Sequence, residues 1–387
     1  MITTDASTWW HPSAKLPSFR DVRELLARKM TDTPVFCYYP QRFRSNARRF
    51  IEGFPGEVLY AVKANPDPDV MRWIVEGGIR AFDTASIPEI ALARRTLRDA
   101  HCAFNHPVKA RSAIRDAYRL WGVREFVVDH GAELVKLVEE AGCDIIVQVR
   151  IAIPNPFATI SFSSKFGATA EEGAKLLRTV AERGAVPAIS THLGYQTTDP
   201  RAFADGLRVL SRIVAAAGIR PAYVNIGGGF PSVLMPENRQ LEDFFRAIAS
   251  THRTEPPIAD VRLKCEPGSA LTHSGGSVLT QVLLVKDHAL YLNDGVYGAL
   301  AELLQSKIQP PTRVFTAEGD ERAGAMRSFK VFGATCDSYD TIPAPFALPT
   351  TICEGDWLHL EMMGAYSSGL ITDFNGLGAH EFAVINE

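Results

Sequence analysis

From Val58 onward the chain alternates short apolar runs with longer amphipathic ones. The apolar, β-rich runs fall at 58–63, 79–83, 101–105, 125–129, 144–151, 187–193, 222–226 and 261–265. The stretches between them, such as Asp69–Glu76, Ile87–Leu97, Ala132–Ala141 and Ala170–Arg183, carry apolar residues at helical spacing. Eight alternating β and α units predict a (β/α)8 barrel, with a doubly wound sheet as the other way to assemble them. Upstream, Ser18-Phe19-Arg20-Asp21 reads as a capping box that opens a helix to about Lys29. Residues 33–39 are β-rich and residues 41–52 helical, while residues 1–17 are expected to be irregular. Past about Gly275 the rhythm changes: Val278–Val285, Leu290–Asn293, Lys330–Phe332 and Trp357–Glu361 read as strands separated by turns. The expected organisation is a barrel over 41–274 and a mainly antiparallel β domain built from 1–40 and 275–387.

Composition narrows this little. The 387 residues are 46% hydrophobic and 22% charged, an ordinary globular balance. A net charge of −3 gives no electrostatic case for nucleic acid or an anionic membrane as partner. No apolar run reaches the length of a membrane span, and the N-terminus lacks the basic-then-apolar pattern of a signal peptide. Six scattered cysteines without a C-x-x-C pair fit a reducing cytoplasm and argue against a metal site or a disulfide framework.

The chemistry sits where the predicted strands end. In a barrel enzyme the site is built from the C-terminal ends of the strands. Here those ends carry Lys63; Asp83 with residues 84–86; Asn105-His106-Pro107; Asp129; Arg150; His192-Leu193-Gly194; Gly227-Gly228-Gly229; and Glu266-Pro267-Gly268. A lone lysine at a strand end ordinarily snorkels to the surface. In an apolar site, its amine loses its charge more readily and becomes a nucleophile. Three glycines are ordinarily a turn, but in the seventh unit they stand where barrels bind phosphate. His192 alone would be a hydrogen-bonded core histidine, and Glu266 a surface acid. Together, a nucleophilic lysine, a phosphate loop, a flat imidazole and a carboxylate suit a phosphorylated aldehyde with a ring nitrogen, which describes pyridoxal phosphate.

These residues stand inside longer motifs: YAVKAN (60–65), FDTAS-x-x-E (82–89), SFSSKFGA (161–168), HLG (192–194), IGGGFP (226–231), EPG (266–268), NDGVYG (293–298), CD (336–337) and MGAY (363–366). From about Thr33 to the C-terminus the chain resembles the ornithine/diaminopimelate/arginine decarboxylases, the fold-type III pyridoxal-phosphate enzymes, and most of all the ornithine decarboxylase branch. The resemblance implies an alanine-racemase-type barrel with an antiparallel β domain, and decarboxylation of an L-amino acid with a distal amine, such as ornithine or lysine. It implies that Lys63 carries the cofactor covalently, that Glu266 pairs with the pyridine nitrogen and that His192 stacks on the ring. Gly227, Gly228 and Gly229 would bind the phosphate, supported by Tyr366. Asp83, Glu89 and Arg150 would surround the cofactor and Lys63. Cys336 would protonate the carbanion left by carbon dioxide, and Asp337 would receive the distal ammonium, both from the neighbouring subunit of a homodimer with shared active sites.

Three positions depart from the pattern. Ser269 follows Glu266-Pro267-Gly268 where the family has Arg, and Tyr195 follows His192-Leu193-Gly194 where it has Ser. Both replace phosphate contacts. The second acid that binds the distal amine falls at Ser306, leaving Glu302, one helical turn earlier, as the candidate substitute. The altered 299–307 segment leaves room for a modified amino acid from specialised metabolism. Two other readings remain: amino-acid racemisation on the same architecture, and a non-catalytic regulatory homologue that binds the cofactor.

Overall fold

The computed structural model describes residues 16–29, 31–232, 235 and 237–387. The irregular stretch expected at 1–17 therefore falls, up to residue 15, outside the described residues. Residues 46–270 form one unit, and the chain on either side of them forms a second.

The first unit is a closed eight-stranded barrel of parallel strands, not a doubly wound sheet. Its strands are, in order, Glu57–Ala61, Ala81–Thr84, His101–Phe104, Glu125–Val128, Ile146–Ile151, Val186–Thr191, Tyr223–Asn225 and Arg262–Cys265. The eighth pairs with the first, Lys264 opposite Glu57, and closes the ring. Strand residues such as Leu59, Phe82, Val127, Val147 and Ile189 are fully buried, which is why the apolar runs read so clearly in the sequence.

Helix starts are fixed by local capping. Asp67 accepts from Asp69 N and Val70 N ahead of Pro68–Glu76. Ser86 accepts from Glu89 N ahead of Ile87–Thr96. Thr169 and Glu172 form a reciprocal capping box at Ala170–Glu182.

Near the strand starts four charged side chains fill the barrel floor. Lys264 Nζ lies 2.8 Å from Glu125 Oε2 and 3.0 Å from Glu57 Oε2. His101 bridges the same acids, Nδ1 to Glu57 at 2.9 Å and Nε2 to Glu125 at 3.1 Å. The Lys264 ammonium also lies over the Tyr223 ring, 4.0 Å from its centroid.

The second unit is a nine-stranded sheet. Its main path runs Ser18–Phe19, Glu381–Ile385, Val35–Tyr38, Gly276–Lys286, Ala289–Leu292, Met326–Phe332 and Thr341–Pro349. Trp357–Leu360 branches from Gly276–Lys286 and pairs in turn with Thr312–Phe315. Most pairs are antiparallel, but Glu381–Ile385 runs parallel to both its neighbours and Ala289–Leu292 parallel to Met326–Phe332.

The first helix departs from expectation. It spans Val22–Arg28, capped by Asp21, whose Oδ1 accepts from Glu24 N at 2.8 Å. Ser18 is a strand residue opposite Val384 rather than the cap. Among the described residues no helix is long and apolar enough to cross a membrane, and no group of three or more His, Cys, Asp or Glu is arranged to hold a metal ion. All six cysteines are free.

Candidate active site

At the end of the first strand the chain enters a single 3-10 turn, Val62–Ala64, which carries Lys63. The Lys63 ammonium lies 3.4 Å from Asp83 Oδ2, at the end of the second strand. Its side chain is 45% exposed, whereas that of Asp83 is 4% exposed. The lysine is thus ion-paired and half open to solvent, not enclosed by apolar groups as the sequence suggested. The following segment supplies Glu89, whose Oε2 accepts from Ala85 N at 2.7 Å. Burial, with the Asp83 carboxylate adding to it, pushes Glu89 up to about 7.

Glu266 directly follows the eighth strand and is buried. Its Oε1 accepts from Asn105 Nδ2 at 2.7 Å and from Asn225 Nδ2. Asn225 ends the seventh strand. Its Nδ2 also donates to Gln148 Oε1 at 2.9 Å, and its Oδ1 accepts from Gly227 N at 2.9 Å. Burial and the nearby Asp83 raise Glu266 to about 7, against the pull of Lys63, Asn225 and Arg150. Asn105 entered the sequence reading only as part of a strand-end cluster, and Asn225 and Gln148 did not enter it. The available signal was the one that singled out Lys63: Asn225 is a polar side chain at the tip of an apolar strand.

The glycine loop is threaded between neighbouring strand ends. A Cβ on Gly227 would stand 2.3 Å from Thr191 O, and one on Gly228 2.5 Å from Glu266 O. Gly229 would meet Gly194 O at 2.3 Å, and both Gly227 (φ +69°) and Gly229 (φ +88°) are left-handed. The loop therefore presents bare backbone between the sixth and eighth strands. His192 lies beside it, with Nδ1 accepting from Gly194 N at 3.2 Å. Burial, together with Arg150 and Lys63, holds the His192 ring well below its ordinary value, so it is neutral, with the proton on Nε2.

Arg150, at the end of the fifth strand, stands 5.6 Å from the centroid of the Phe166 ring. The segment from 152 to 168 is fastened at several places. Ala152 and Ala168 bond across its base, Gly167 N donates to Asp129 Oδ2 at 2.9 Å, and Ile160 pairs with Tyr195. Tyr195 therefore uses its backbone to hold this segment and is itself buried. Ser269 is buried just after Gly268, where a Cβ would stand 2.9 Å from that of Ala64.

Five expected site residues belong to the β unit. Cys336, which is exposed, and Asp337, which is half-buried, stand on one loop. Asp337 Oδ2 accepts from Tyr297 Oη at 2.5 Å and Oδ1 from Tyr339 N at 3.0 Å. These bonds, Tyr297 first, hold its carboxyl below the ordinary range. Asp340 ties this loop to the Tyr297 loop, accepting from Val296 N at 2.8 Å and from Thr335 N at 2.9 Å. Tyr366 sits at φ +50° in the loop after Trp357–Leu360. Glu302 and Ser306 lie on the short helix Ala301–Ser306. Glu302, expected to face substrate or solvent, is instead buried with Oε1 2.9 Å from His273 Nε2. Burial raises the Glu302 acid to about 8 and lowers His273 to about 3. Ser306 is buried, and its Oγ caps Ile308 N at 3.3 Å.

The family described as pyridoxal-dependent decarboxylase, pyridoxal binding domain, matches residues 40–273. The chain belongs to the pyridoxal-dependent decarboxylases. This decarboxylase is 32% identical over 345 residues to decarboxylase flvG of Aspergillus flavus, covering 82% of this chain and 77% of that one. It is 28% identical over 331 residues to the lysine/ornithine decarboxylase of Selenomonas ruminantium, covering 82% and 81%. It also resembles the crystal structure of lysine/ornithine decarboxylase from Vibrio vulnificus complexed with cadaverine, with a TM-score of 0.80 at 25% identity, over 95% of this chain and all of that one. The decarboxylase uses pyridoxal phosphate, and its residues fit that group. Lys63 offers an amine to an aldehyde, the Gly227–Gly229 cradle has no room for side chains, and Glu266 has one oxygen already taken.

Proposed function

We propose that this enzyme decarboxylates an L-amino acid bearing a distal amine, of the ornithine or lysine type, and works as a homodimer with shared active sites in a reducing cytoplasm. The observation that carries the reading is the Cys336–Asp337 pair, a proton source beside a carboxylate that Tyr297 already orients. Exposed Tyr339, Leu370, Phe374 and Leu377 stand on the same unit, and the Phe374 ring is 4.7 Å from that of Tyr297. An apolar patch around a reactive pair fits a surface that a second copy covers.

When bound, pyridoxal phosphate supplies an electron sink for the pair left at Cα as carbon dioxide departs. Lys63 would hold the aldehyde through its amine, and Asp83 keeps that side chain aimed. Glu266 would accept at the ring nitrogen, neutral His192 would face the ring, and Gly227–Gly229 would receive the phosphate. Asp337 of a second copy pairs with the distal ammonium. Cys336 Sγ of that copy delivers a proton to Cα, and the thiolate left behind takes one back from water. Glu302 and Ser306 are already engaged by His273 and Ile308 N, so recognition of the distal group rests on Asp337.

The test is carbon dioxide release by the purified enzyme with pyridoxal phosphate across L-ornithine, L-lysine, L-arginine, diaminopimelate and substituted diamino acids. Release from ornithine or lysine is expected. Silence on all the basic amino acids, with cofactor bound, would refute the distal-amine reading and favour a modified substrate.

A further inference from the structure

Three carboxylates crowd the barrel mouth, those of Asp83, Glu89 and Glu266, against the cations Lys63 and Arg150. Burial favours the protonated form of Glu266, as does the neighbouring Asp83. A protonated acid would offer a donor where, on the reading above, a ring nitrogen carrying its own proton needs an acceptor. Something must therefore hold this acid in its acceptor form.

The side-chain amides around it are arranged to do so. The Gly227 backbone N–H can only donate, so the Asn225 atom 2.9 Å from it is the carbonyl oxygen. That fixes the other end of Asn225 as the donor, and it meets two acceptors, Gln148 Oε1 and Glu266 Oε1. Asn105 adds a second N–H to the same carboxylate oxygen at 2.7 Å. Its own carbonyl oxygen is buried without a hydrogen-bond partner, so the position of this amide is set by Glu266 and not by a second bond of its own. Two donors on Oε1 stabilise the ionised carboxylate and leave Oε2 as its outward acceptor.

We propose that Asn225 and Asn105 are positioning residues of the decarboxylation: their amides hold Glu266 as a pre-oriented acceptor for the ring nitrogen, and Asn225 locks that acid to the phosphate-binding glycine loop. The inference rests on the pairing of Glu266 with the ring nitrogen. Asn225 spans the site, with one end on the loop for the phosphate and the other on the acid for the ring. Asn105 acts on the acid alone.

The test titrates apoenzyme, prepared by stripping the cofactor, with pyridoxal phosphate and with its 1-deaza analogue, in which carbon replaces the ring nitrogen. The wild type should prefer pyridoxal phosphate by about tenfold or more, the scale of a hydrogen bond to a charged group. Asn105→Ala should bring the preference close to one while the analogue binds as before. Asn225→Ala should do the same and weaken both ligands together, because the glycine loop loses its tie. Glu266→Ala separates the two ideas. If the preference survives in Glu266→Ala, the ring-nitrogen reading fails. If it falls there but persists in Asn105→Ala and Asn225→Ala, only the role of the amides fails. Should Asn225→Ala not fold, Asn105→Ala alone decides, and an unchanged preference in it overturns the proposal.

Discussion

Gly228 has no room for a side chain. A methyl group there would stand 2.5 Å from Glu266 O and 3.2 Å from His192 Nε2, and the first of these neighbours is backbone that cannot swing aside. Gly228→Ala is expected to lose about 1–3 kcal/mol of stability to overpacking and to hold pyridoxal phosphate poorly. Thermal unfolding and the absorbance of bound cofactor check both, and a variant that matches the wild type in each would show that the loop has slack. Lys63→Ala is expected to abolish carbon dioxide release, and turnover at the wild-type rate would remove Lys63 from the chemistry.

At this scale the sequence displayed charged and glycine residues well and neutral polar ones poorly. Lys63, Asp83, Glu266 and the three glycines stood out because each is costly at the end of a buried strand. Asn225 and Gln148 did not, because an amide is common enough to pass as ordinary and its value depends on which group its two ends meet. Glu302 was misjudged for the opposite reason. A charged residue on a short helix reads as outward-facing, and only the fold places His273 against it.

Among elements, the barrel strands were legible because both faces of each are buried and the runs stay apolar from end to end. Thr341–Pro349 was not recognised: it carries Pro343 and Pro345 and lies at the edge of its sheet, where missing donors are tolerated. Glu381–Ile385 and Thr312–Phe315, at five and four residues, are too short to show a period.

The charged floor of the barrel gives the elements a pH signature. Hydrogen bonds from the protonated ring to Glu125 and Glu57 raise His101 from 6.5 to about 9. That contribution is complete below about pH 6.5 and disappears as pH rises through about 9. Burial alone would raise Glu57, but His101 and Lys264 more than reverse it and bring it from 4.5 to about 2. Its contribution is present above about pH 4.5 and is lost as pH falls toward about 2. The melting temperature should therefore decline on both sides of this interval. In His101→Gln the alkaline decline between about 6.5 and 9 should flatten. Circular dichroism melts across pH decide it, and an alkaline limb identical to wild type would exclude His101 as its source.

For the whole molecule, the proposed sharing of sites between two copies predicts complementation. Lys63→Ala lacks the covalent amine and Cys336→Ala the proton donor, so each homodimer should be inactive or misdirect its product. Mixed and allowed to exchange subunits in equal amounts, they should recover about a quarter of wild-type activity, since half the dimers carry one intact site of two. No recovery under demonstrated exchange would place both groups in one chain. The two-unit architecture itself was readable from the change of rhythm near Gly275. The parallel seating of Glu381–Ile385 was not, because strands so distant in sequence share no local signal.

That seating has a consequence for biosynthesis. Ser18–Phe19 and Val35–Tyr38 leave the ribosome before the barrel, yet the strand that joins them, Glu381–Ile385, comes after it. The barrel is continuous in sequence over 46–270 and has all eight strands in hand long before that. A nascent chain must therefore carry an unsatisfied strand edge throughout barrel closure, in need of shielding by chaperones. Translation that stops short of residue 381 would release a closed barrel attached to a sheet missing the strand between its N-terminal strands, a ready target for quality-control proteolysis.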